Sequence, residues 1–321
     1  MAIEFRAAEK SDRSAILGLF EAAFKSAADP ADLAWKYDAN PHPAVSVIAF
    51  EDGRAVGLIG AIGTRYRGLG IDQRGNSLVD VMTHPGARSL GKAVLFKRLT
   101  EAFRRINAET GVLFDFGFPH ERARKIEERL GGCVTAEPCG ERGRPLDAPP
   151  LVGRIRRRLL RVREGEPFGR PHDALAEVLH SRKGWRTDRS VKTLAWRFSR
   201  PGFVYRTFQL LDLSGRSRGY AVVAIRDRKA FLVDFQVRSE TDGTVADLVA
   251  AVQERLAGAD AVRMVLRSPL EGFLGRRLVE ELDFALEPSD TVLLMHPVAD
   301  GFDFVAPGRT FDYRFSDHDV F

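Results

Sequence analysis

Short apolar runs alternate with amphipathic stretches along the first 130 residues. The run at residues 3–6 predicts a strand, and the stretch after it has apolar residues at the spacing of one helix face. Two further runs, at residues 45–50 and 55–63, flank the dipeptide Asp52-Gly53, which is typical of a tight hairpin turn. The pattern therefore predicts a strand, a helix and an antiparallel hairpin, in that order. The predicted helix face consists of Ile16, Leu17, Phe20, Ala23 and Phe24.

The next elements alternate between strand and helix. Ser77–Thr83 predicts a strand, and Lys92–Asn107 carries one apolar stripe that predicts an amphipathic helix. Val112–Phe116 predicts a buried strand, and Glu121–Leu130 predicts a short charged helix that ends at two glycines. The periodic pattern weakens over Cys139–Pro171, which is rich in Pro, Gly and Arg, so we interpret this stretch as an interdomain linker.

Four short sequence matches recur in the same order about 150–160 residues apart. Their number and their order favour a duplicated domain over chance similarity. We predict a first domain over residues 1–140, a linker over 141–171, a second domain over 172–298 and a C-terminal tail over 299–321. The matched pairs are Trp35-Lys36-Tyr37 with Trp196-Arg197-Phe198, residues 53–57 with 215–219, residues 78–81 with 232–235, and residues 119–121 with 269–271.

Composition narrows the class of protein. Of the 321 residues, 44% are hydrophobic and 29% are charged, which excludes an intrinsically disordered chain. Two cysteines are too few for a disulfide scaffold or a Cys-based zinc finger. The apolar runs are strand-sized and far shorter than the roughly 20 residues of a membrane span, so we expect a cytoplasmic protein.

The net charge of +5 is partly a property of one segment, because six arginines fall between Arg154 and Arg163. We interpret this segment either as a solvated basic helix or as a docking patch for anionic lipid at the inner face of the membrane or for another anionic ligand. No aromatic residues lie between the arginines for base stacking, so a nucleic acid is not favoured as a partner.

A candidate phosphate-binding loop lies between the predicted strand Ser77–Thr83 and the predicted helix Lys92–Asn107. A helix N-terminus after a glycine-containing turn presents backbone N–H groups and the helix dipole to an anion. Gly86–Ala93 reads Gly-x-x-x-x-Gly-Lys-Ala, which is a P-loop pattern except that its last residue must be Ser or Thr to bind Mg²⁺. Arg88–Ala93 also reads Arg-x-x-Gly-x-Ala, and Pro85 lies three residues before the arginine.

This second pattern resembles the pyrophosphate loop of the GNAT acyltransferase family. The order of the predicted elements agrees with that family, whereas a P-loop is expected near the start of an alternating parallel domain. The resemblance implies an α/β (α+β) fold with tandem GNAT-like domains, each a mixed, mostly antiparallel sheet flanked by helices, the second copy being degenerate. Four stretches are similar to tandem GNAT proteins encoded with polysaccharide and amino-sugar pathways, namely residues 57–67, 79–85, 117–120 and 311–319.

The resemblance implies acetyl-CoA as a cosubstrate and no metal. The backbone N–H groups of Leu90–Ala93 are expected to hold the pyrophosphate, and Val81–Thr83 is expected to pair with the pantetheine arm. An N–H group near Met82 is expected to polarise the thioester carbonyl while a neutral amine attacks it. The implied cofactor-binding residues are Val81, Met82, Thr83, Arg88, Ser89, Leu90, Gly91, Lys92 and Ala93.

Candidate catalytic residues follow from the same comparison. Asp80 and Asp115 are candidate general bases, because a carboxylate in an apolar strand can have a raised pKa. Each has the alternative of a hydrogen-bonded structural aspartate, and for Asp80 the repeat at Asp234 favours this alternative. His120 is a candidate for proton transfer, with simple exposure as the alternative. Glu127 stands where the family commonly has the tyrosine that acts as general acid, and on a charged helix we expect it to be a poor substitute.

Trp35, Tyr37 and Arg65 are candidate acceptor-binding residues. Aromatic faces stack on sugars and an arginine can meet a phosphate, so an amino sugar or a sugar nucleotide is the expected small-molecule amine. The alternatives are core packing for both aromatic residues and a solvated strand end for Arg65. We interpret Asp317–Asp319 as part of a polar tail rather than as a metal site.

These observations predict an acetyl-CoA-dependent N-acetyltransferase that acts by direct attack in a ternary complex. The second copy has no Arg-x-x-Gly-x-Gly/Ala pattern after residues 232–237, so we expect that it does not bind coenzyme A. Two alternatives stay open. One is a non-catalytic regulator with the GNAT fold that binds an anionic ligand or a membrane, and the other is a Fem-like aminoacyl transferase that binds charged tRNA.

Overall fold

The computed structural model describes residues 3–68, 70–87, 91–148, 160–182, 184–240, 242–269, 278–287, 289, 291–298 and 311–317. The chain forms two compact units, which we describe separately. The first unit comprises residues 1–66, 72–136 and 291–307, and the second comprises residues 67–71, 137–290 and 308–321.

The elements of both units are numbered in chain order. The strands are β1 (Ile3–Ala7), β2 (Val47–Glu51), β3 (Arg54–Gly68), β4 (Ile71–Thr83), β5 (Val112–Gly117), β6 (Val134–Pro145), β7 (Leu160–Glu164), β8 (Trp185–Thr187), β9 (Arg206–Asp212), β10 (Ser217–Arg226), β11 (Lys229–Val237), β12 (Arg263–Pro269), β13 (Ala285–Glu287), β14 (Val292–Pro297) and β15 (Phe311–Asp312). The helices are α1 (Arg13–Phe24), α2 (Pro30–Tyr37), α3 (Gly91–Ala108), α4 (Glu121–Ile126), α5 (Arg170–His180), α6 (Val191–Arg197) and α7 (Thr244–Arg255).

The first unit contains a sheet with the strand order β1-β2-β3-β4-β5-β14. β4 runs parallel to β5, whereas β1 with β2, β2 with β3 and β5 with β14 are antiparallel. The hairpin between β2 and β3 turns at Asp52 and Gly53, whose φ angles are 51° and 77°. Two successive positive φ angles match the turn type that follows the twist of the flanking strands. The predicted hairpin is confirmed, although β3 continues beyond the predicted end at Gly63.

Helices cover both faces of this sheet. One apolar layer joins the sheet to α3, and the other joins it to α1 and α2. Burial of each large apolar side chain contributes about 1.5–3 kcal/mol, so these two layers supply most of the stability of the sheet. The layer on α3 includes Val47, Val56, Ile59, Leu95, Leu99 and Phe103, and the opposite layer includes Ile16, Leu19, Leu33, Ile48, Leu58 and Met82.

The second unit repeats this arrangement. Its sheet has the order β7-β9-β10-β11-β12-β6, and β11 runs parallel to β12 as β4 does to β5. One face packs on α7 and the other packs on α5 and α6. The matching strand order confirms the predicted fold class, a tandem of mixed, mostly antiparallel sheets flanked by helices.

Each sheet is completed by a strand from the other half of the chain. β14, from residues predicted within the second domain, pairs with β5 in the first unit. β6 follows the first copy of the repeat, yet its residues 139–145 pair with β12 in the second unit. Arg142 and Arg144 are 2% exposed and donate to Ser268 and to the carbonyl of Leu282. Because Arg142 and Arg144 stand at buried positions of β6, this strand lacks the alternation of apolar and polar residues. The sequence pattern therefore does not predict a strand at the start of the predicted linker.

The segment Tyr313–Asp317 is buried in the second unit. The Asp317 carboxylate accepts hydrogen bonds from the Thr187 hydroxyl at 2.6 Å and from the Arg189 guanidinium at 2.9 Å. The interpretation of Asp317 as part of a polar tail is therefore wrong, because this carboxylate neutralises an arginine in the protein interior. Residues 318–319 lie outside the described residues.

The described residues bear only in part on the expectations about membranes, anionic ligands and metals. Most of the arginine-rich stretch, residues 154–159, lies outside the described residues. Among the helices that are described, none combines the length and the apolar character needed to cross a membrane. The described residues also contain no group of three or more His, Cys, Asp or Glu side chains placed to hold a metal ion.

Candidate active site

The first sheet opens at its parallel strand pair. The pairing of β4 with β5 ends at Ser77 opposite Phe116. β4 continues to Thr83, whereas β5 ends at Gly117. Within this unpaired end of β4, Asp80 has a φ angle of +49°, which interrupts the regular strand. The two strands therefore separate at the point where the resemblance places the pantetheine arm.

A cavity of about 430 Å³ lies beside this opening. Its walls come from the end of β4, the first turns of α3, and α4 with the π-helical turn Glu127–Gly131 that follows it. This volume is within the range of small-molecule and cofactor sites. Five predicted cofactor residues line the cavity, namely Val81, Met82, Thr83, Lys92 and Ala93. Arg88, Ser89 and Leu90 lie outside the described residues. The other lining residues are Phe96, Arg122, Ala123, Ile126, Glu127 and Leu130.

The start of α3 gives one end of this cavity the character of an anion site. Gly91 has a φ angle of +65°, and a Cβ atom there would meet no atom within 4 Å. The backbone conformation, rather than crowding, therefore requires glycine. The residues of the first turn are exposed, and Lys92 and Ala93 line the cavity, so the positive end of the helix dipole and the Lys92 ammonium lie at this end of it. Arg122 adds a second cation from α4.

The opposite wall carries a carboxyl group. Glu127 begins the π-helical turn and is half-buried, and it lines both the large cavity and a narrow inner one. Burial raises the pKa of Glu127 to about 7. A carboxyl with this pKa is partly protonated at neutral pH. The sequence predicts Glu127 on a charged helix, whereas the structure ends α4 at Ile126 and places Glu127 at the start of the π-helical turn, on the wall of the cavity.

Asp115 lies on β5 in the inner cavity and is fully buried. Asn76 donates to its Oδ1 at 2.9 Å, and the His296 ring nitrogen of β14 is 3.7 Å from its Oδ2. Burial raises the pKa of Asp115, and the hydrogen bonds and the nearby Arg104 oppose this rise. Asp115 does not line the larger cavity, so its predicted role as a base has no direct route to an acceptor among the described residues.

Asp80 faces α2 on the other side of the sheet. The Lys36 ammonium is 3.0 Å from its Oδ1, and the Tyr37 hydroxyl donates to its Oδ2 at 2.6 Å. The Asp80 and Lys36 side chains are both 5% exposed. In the second unit Asp234 has the same kinds of partner, since Tyr220 donates to it at 2.8 Å and Arg189 lies 3.0 Å away. This shared pattern supports the structural alternative for Asp80.

The remaining predicted residues are spread around the first unit. His120 is exposed at the N-cap of α4, where its Nδ1 accepts from the Ala123 N–H. Trp35 is buried, which favours the core alternative. Arg65 pairs with Asp72 on exposed strands. The structure therefore brings together the predicted cofactor residues that it describes, but not the predicted catalytic residues.

A second, polar cavity of about 220 Å³ lies on the α1–α2 side of the same sheet. Lys36 and Tyr37, which hold Asp80, are part of its wall. The next residue along β4, Val81, lines the larger cavity, so the irregular part of β4 lies between the two cavities. The other polar side chains on the wall of the polar cavity are Lys10, Arg13, Asp38, Asn40, His42 and Ser46.

Comparison with known proteins agrees with this geometry. Residues 4–131 match the family model described as an acetyltransferase (GNAT) domain. This match places a GNAT acetyltransferase domain in the first unit. A search of curated proteins finds no match.

Several crystal structures share the fold of the chain as a whole. A probable N-acyltransferase from Enterococcus faecalis V583 is 12% identical, with a TM-score of 0.72 over 93% of this chain and 73% of that one. A GCN5-related N-acetyltransferase from Anabaena variabilis is 13% identical, with a TM-score of 0.70 and the same two coverages. A tandem GNAT protein from the clavulanic acid biosynthesis pathway is 15% identical, with a TM-score of 0.59 over 94% of this chain and all of that one.

Sequence reasoning missed three features of the site. The sequence pattern predicts Arg122 and Ile126 only as parts of a short charged helix, yet both line the cavity. The polar cavity around Asn40 and His42 carries no motif that a single sequence reveals. For Glu127 a signal existed, since the two glycines at 131–132 mark an irregular helix end, but they do not show which way the side chain points.

Proposed function

We propose that the first unit is an acetyl-CoA-dependent N-acyltransferase that transfers an acetyl group to a small-molecule amine. The observation that carries this proposal is the cavity between the end of β4 and the start of α3. It combines an exposed first helical turn, two cations and an unpaired strand end. A pyrophosphate, a peptide-like arm and an acyl group would each find a suitable partner there.

The residues of the chain have distinct parts in this reaction. The N–H groups at the start of α3, with Lys92, would hold phosphate oxygens, and the free edge of β4 would orient the amide-containing arm. The backbone near Met82 would donate to the acyl oxygen as negative charge develops on it. Bound in this cavity, acetyl-CoA supplies an acyl group activated as a thioester. Ile126 lines the cavity and is 41% exposed, so it offers apolar surface to the non-polar parts of such a ligand.

The acceptor would enter from the polar cavity on the α1–α2 side. Its wall combines Tyr37 with hydroxyl, amide and imidazole groups, which suits a hydroxylated amine such as an amino sugar or a sugar nucleotide of polysaccharide biosynthesis. Its volume of about 220 Å³ is sufficient for a single sugar ring. Direct attack would then take place in a ternary complex at the irregular part of β4, between the two cavities.

A thiol-release assay tests the proposal. Acetyl-CoA is supplied with amino sugars, sugar nucleotides and polyamines, and free coenzyme A is measured. We expect release with at least one amine for the wild type, and none for Gly91→Val, because a branched residue is strained at positive φ and would shift the backbone at the helix start. Gly243, which precedes α7 in the second unit with a φ angle of 81°, provides the matched control, and Gly243→Val should retain activity. No release and no binding at millimolar acetyl-CoA would contradict the proposal, and binding of charged tRNA instead would support the aminoacyl-transferase alternative.

A further inference from the structure

Glu127 differs from Asp80 and Asp115, the two aspartates of this part of the sheet, in its surroundings. Asp80 and Asp115 accept hydrogen bonds from neighbouring side chains. Within the described part of the chain, the Glu127 carboxyl has no hydrogen bond or ion pair. It nevertheless lies on a wall shared by two cavities, one of them the proposed acetyl-CoA site. A half-buried carboxyl without a protein partner is available to a ligand.

Several charged and titratable groups line these cavities with Glu127. The groups on the outer side are cations, so they attract an anionic ligand toward this wall. The inner side is closed by Cys133, whose thiol pKa is raised by burial to about 12, so it stays protonated. None of these groups makes a hydrogen bond to the Glu127 carboxyl in the described structure. The full set is Lys92 and Arg104 on α3, Arg122 on α4, Asp115 on β5, Cys133, and His296 on β14.

We propose that the Glu127 carboxyl donates a proton to the leaving sulfur in the reaction proposed above, on which this inference rests. The amine nitrogen forms the new bond to the acyl carbon and gives up one proton to solvent. The carbon–sulfur bond breaks and its electron pair stays on sulfur. Glu127 transfers its proton to that sulfur, so the products are an amide and a neutral thiol, and the Glu127 carboxylate regains a proton from solvent after they leave.

The pH dependence of this step has a definite sign. Glu127 must be protonated to act as the donor, and burial sets its pKa at about 7. The donor is therefore available below about pH 7 and is lost as the pH rises through that value. The ratio of wild-type kcat to that of Glu127→Gln isolates this effect, because ionisation of the amine acceptor is common to both proteins. We expect this ratio to fall as the pH rises from 6 to 9.

Glu127→Gln tests the proposal because it keeps the shape of the side chain and removes the proton. We expect kcat at pH 6.5 to fall at least about tenfold, the lower end of general acid catalysis, since a thiolate leaves more readily than an alkoxide. The acetyl-CoA affinity should change less than about twofold. Glu121→Gln is the control, because Glu121 is an exposed carboxylate on the same helix that pairs with Lys125. It should leave kcat, affinity and pH profile unchanged.

A second measurement does not depend on turnover. In the ¹³C spectrum of carboxyl-labelled protein, the signal that is lost in Glu127→Gln should titrate near pH 7. Titration near 4.5, or a Glu127→Gln variant with wild-type kcat and pH profile, would overturn the proton transfer by Glu127 and leave the proposed acetyltransferase function standing. A wild type that binds acetyl-CoA but releases no thiol with any amine would overturn the proposed function, and the proton transfer with it.

Discussion

The two units present different surfaces at the start of equivalent helices. In the first unit α3 begins at Gly91 with an exposed first turn beside a large cavity. In the second unit α7 begins at Thr244, which is 1% exposed and whose N–H and hydroxyl both donate to the Asp242 carboxylate. Arg218 also pairs with Asp242. The second helix therefore has a negative group of its own at the place where the first is open to an anion.

The strand openings differ in the same way. The pairing of β11 with β12 ends at Leu232 opposite Leu266, although both strands continue further. The C-terminal segment fills this space, since Arg314 donates to the Phe235 carbonyl at 3.4 Å and Phe315 packs among buried apolar residues of β10, β11 and β12. Both copies thus have separated strand ends, and among the described residues a segment fills this separation only in the second copy. The prediction that the second copy does not bind coenzyme A is therefore supported by its filled strand separation and its capped helix, as well as by the missing motif.

The largest expected effect concerns β14, the strand that the second half of the chain contributes to the sheet of the first unit. A chain truncated after residue 140 lacks β14 and its buried residues Leu293, Leu294 and Met295. Three such side chains contribute about 5–9 kcal/mol, which is comparable to the whole stability of a domain. We expect residues 1–140 to show no cooperative thermal unfolding by circular dichroism.

The matched truncation for this test is residues 1–298, which keeps β14 and removes the C-terminal segment. We expect it to keep cooperative unfolding of the first unit and to lose stability in the second. A cooperative transition for residues 1–140 would show that the first half of the sequence folds without the exchanged strand.

The next largest effect concerns the buried charges of the second unit. Arg189 lies between Asp234 and Asp317, and all three side chains are at most 5% exposed. Arg189→Met leaves both carboxylates without this partner in the interior, so we expect the free energy of unfolding of the second unit to fall by about 3–5 kcal/mol. Denaturant unfolding measures this change. Arg228→Met, at an exposed pair with Asp260, is the control and should change stability by less than about 1 kcal/mol.

The smallest effect concerns the helix start in the second unit. Asp242→Ala removes the carboxylate that accepts from Thr244, and we expect a loss of about 0.5–2 kcal/mol in stability. The variant should not gain acetyl-CoA binding, because Arg314 and Phe315 still fill the strand opening. A second acetyl-CoA site in calorimetric titration of this variant would show that Asp242 alone keeps the second copy closed.

The sequence predicted the local elements well, because their signals are local. The hairpin at Asp52-Gly53 and the amphipathic stripe of α3 depend on residues a few positions apart. The strand exchange could not be predicted in this way, since nothing in the sequence of β14 indicates that its neighbour is β5. The buried arginines of β6 also give a polar pattern, and only their distant partners explain how they are accommodated.

The candidate site was predictable in part for the same reason. The start of α3 is a continuous motif, and Gly91 with Lys92 marks it in the sequence. The role proposed for Glu127 depends on the π-helical turn after α4 and on packing against α3, which are tertiary features. The pairing of Asp80 with Lys36 likewise joins residues that are distant in the chain, so no local pattern separates a base from a structural aspartate.

Isothermal titration calorimetry with acetyl-CoA tests the difference between the two units most directly. We expect one site per chain in the wild type, no site in Gly91→Val, and one unchanged site in Gly243→Val. Two sites in the wild type, or loss of binding in Gly243→Val with binding retained in Gly91→Val, would contradict the assignment of acetyl-CoA to the first unit.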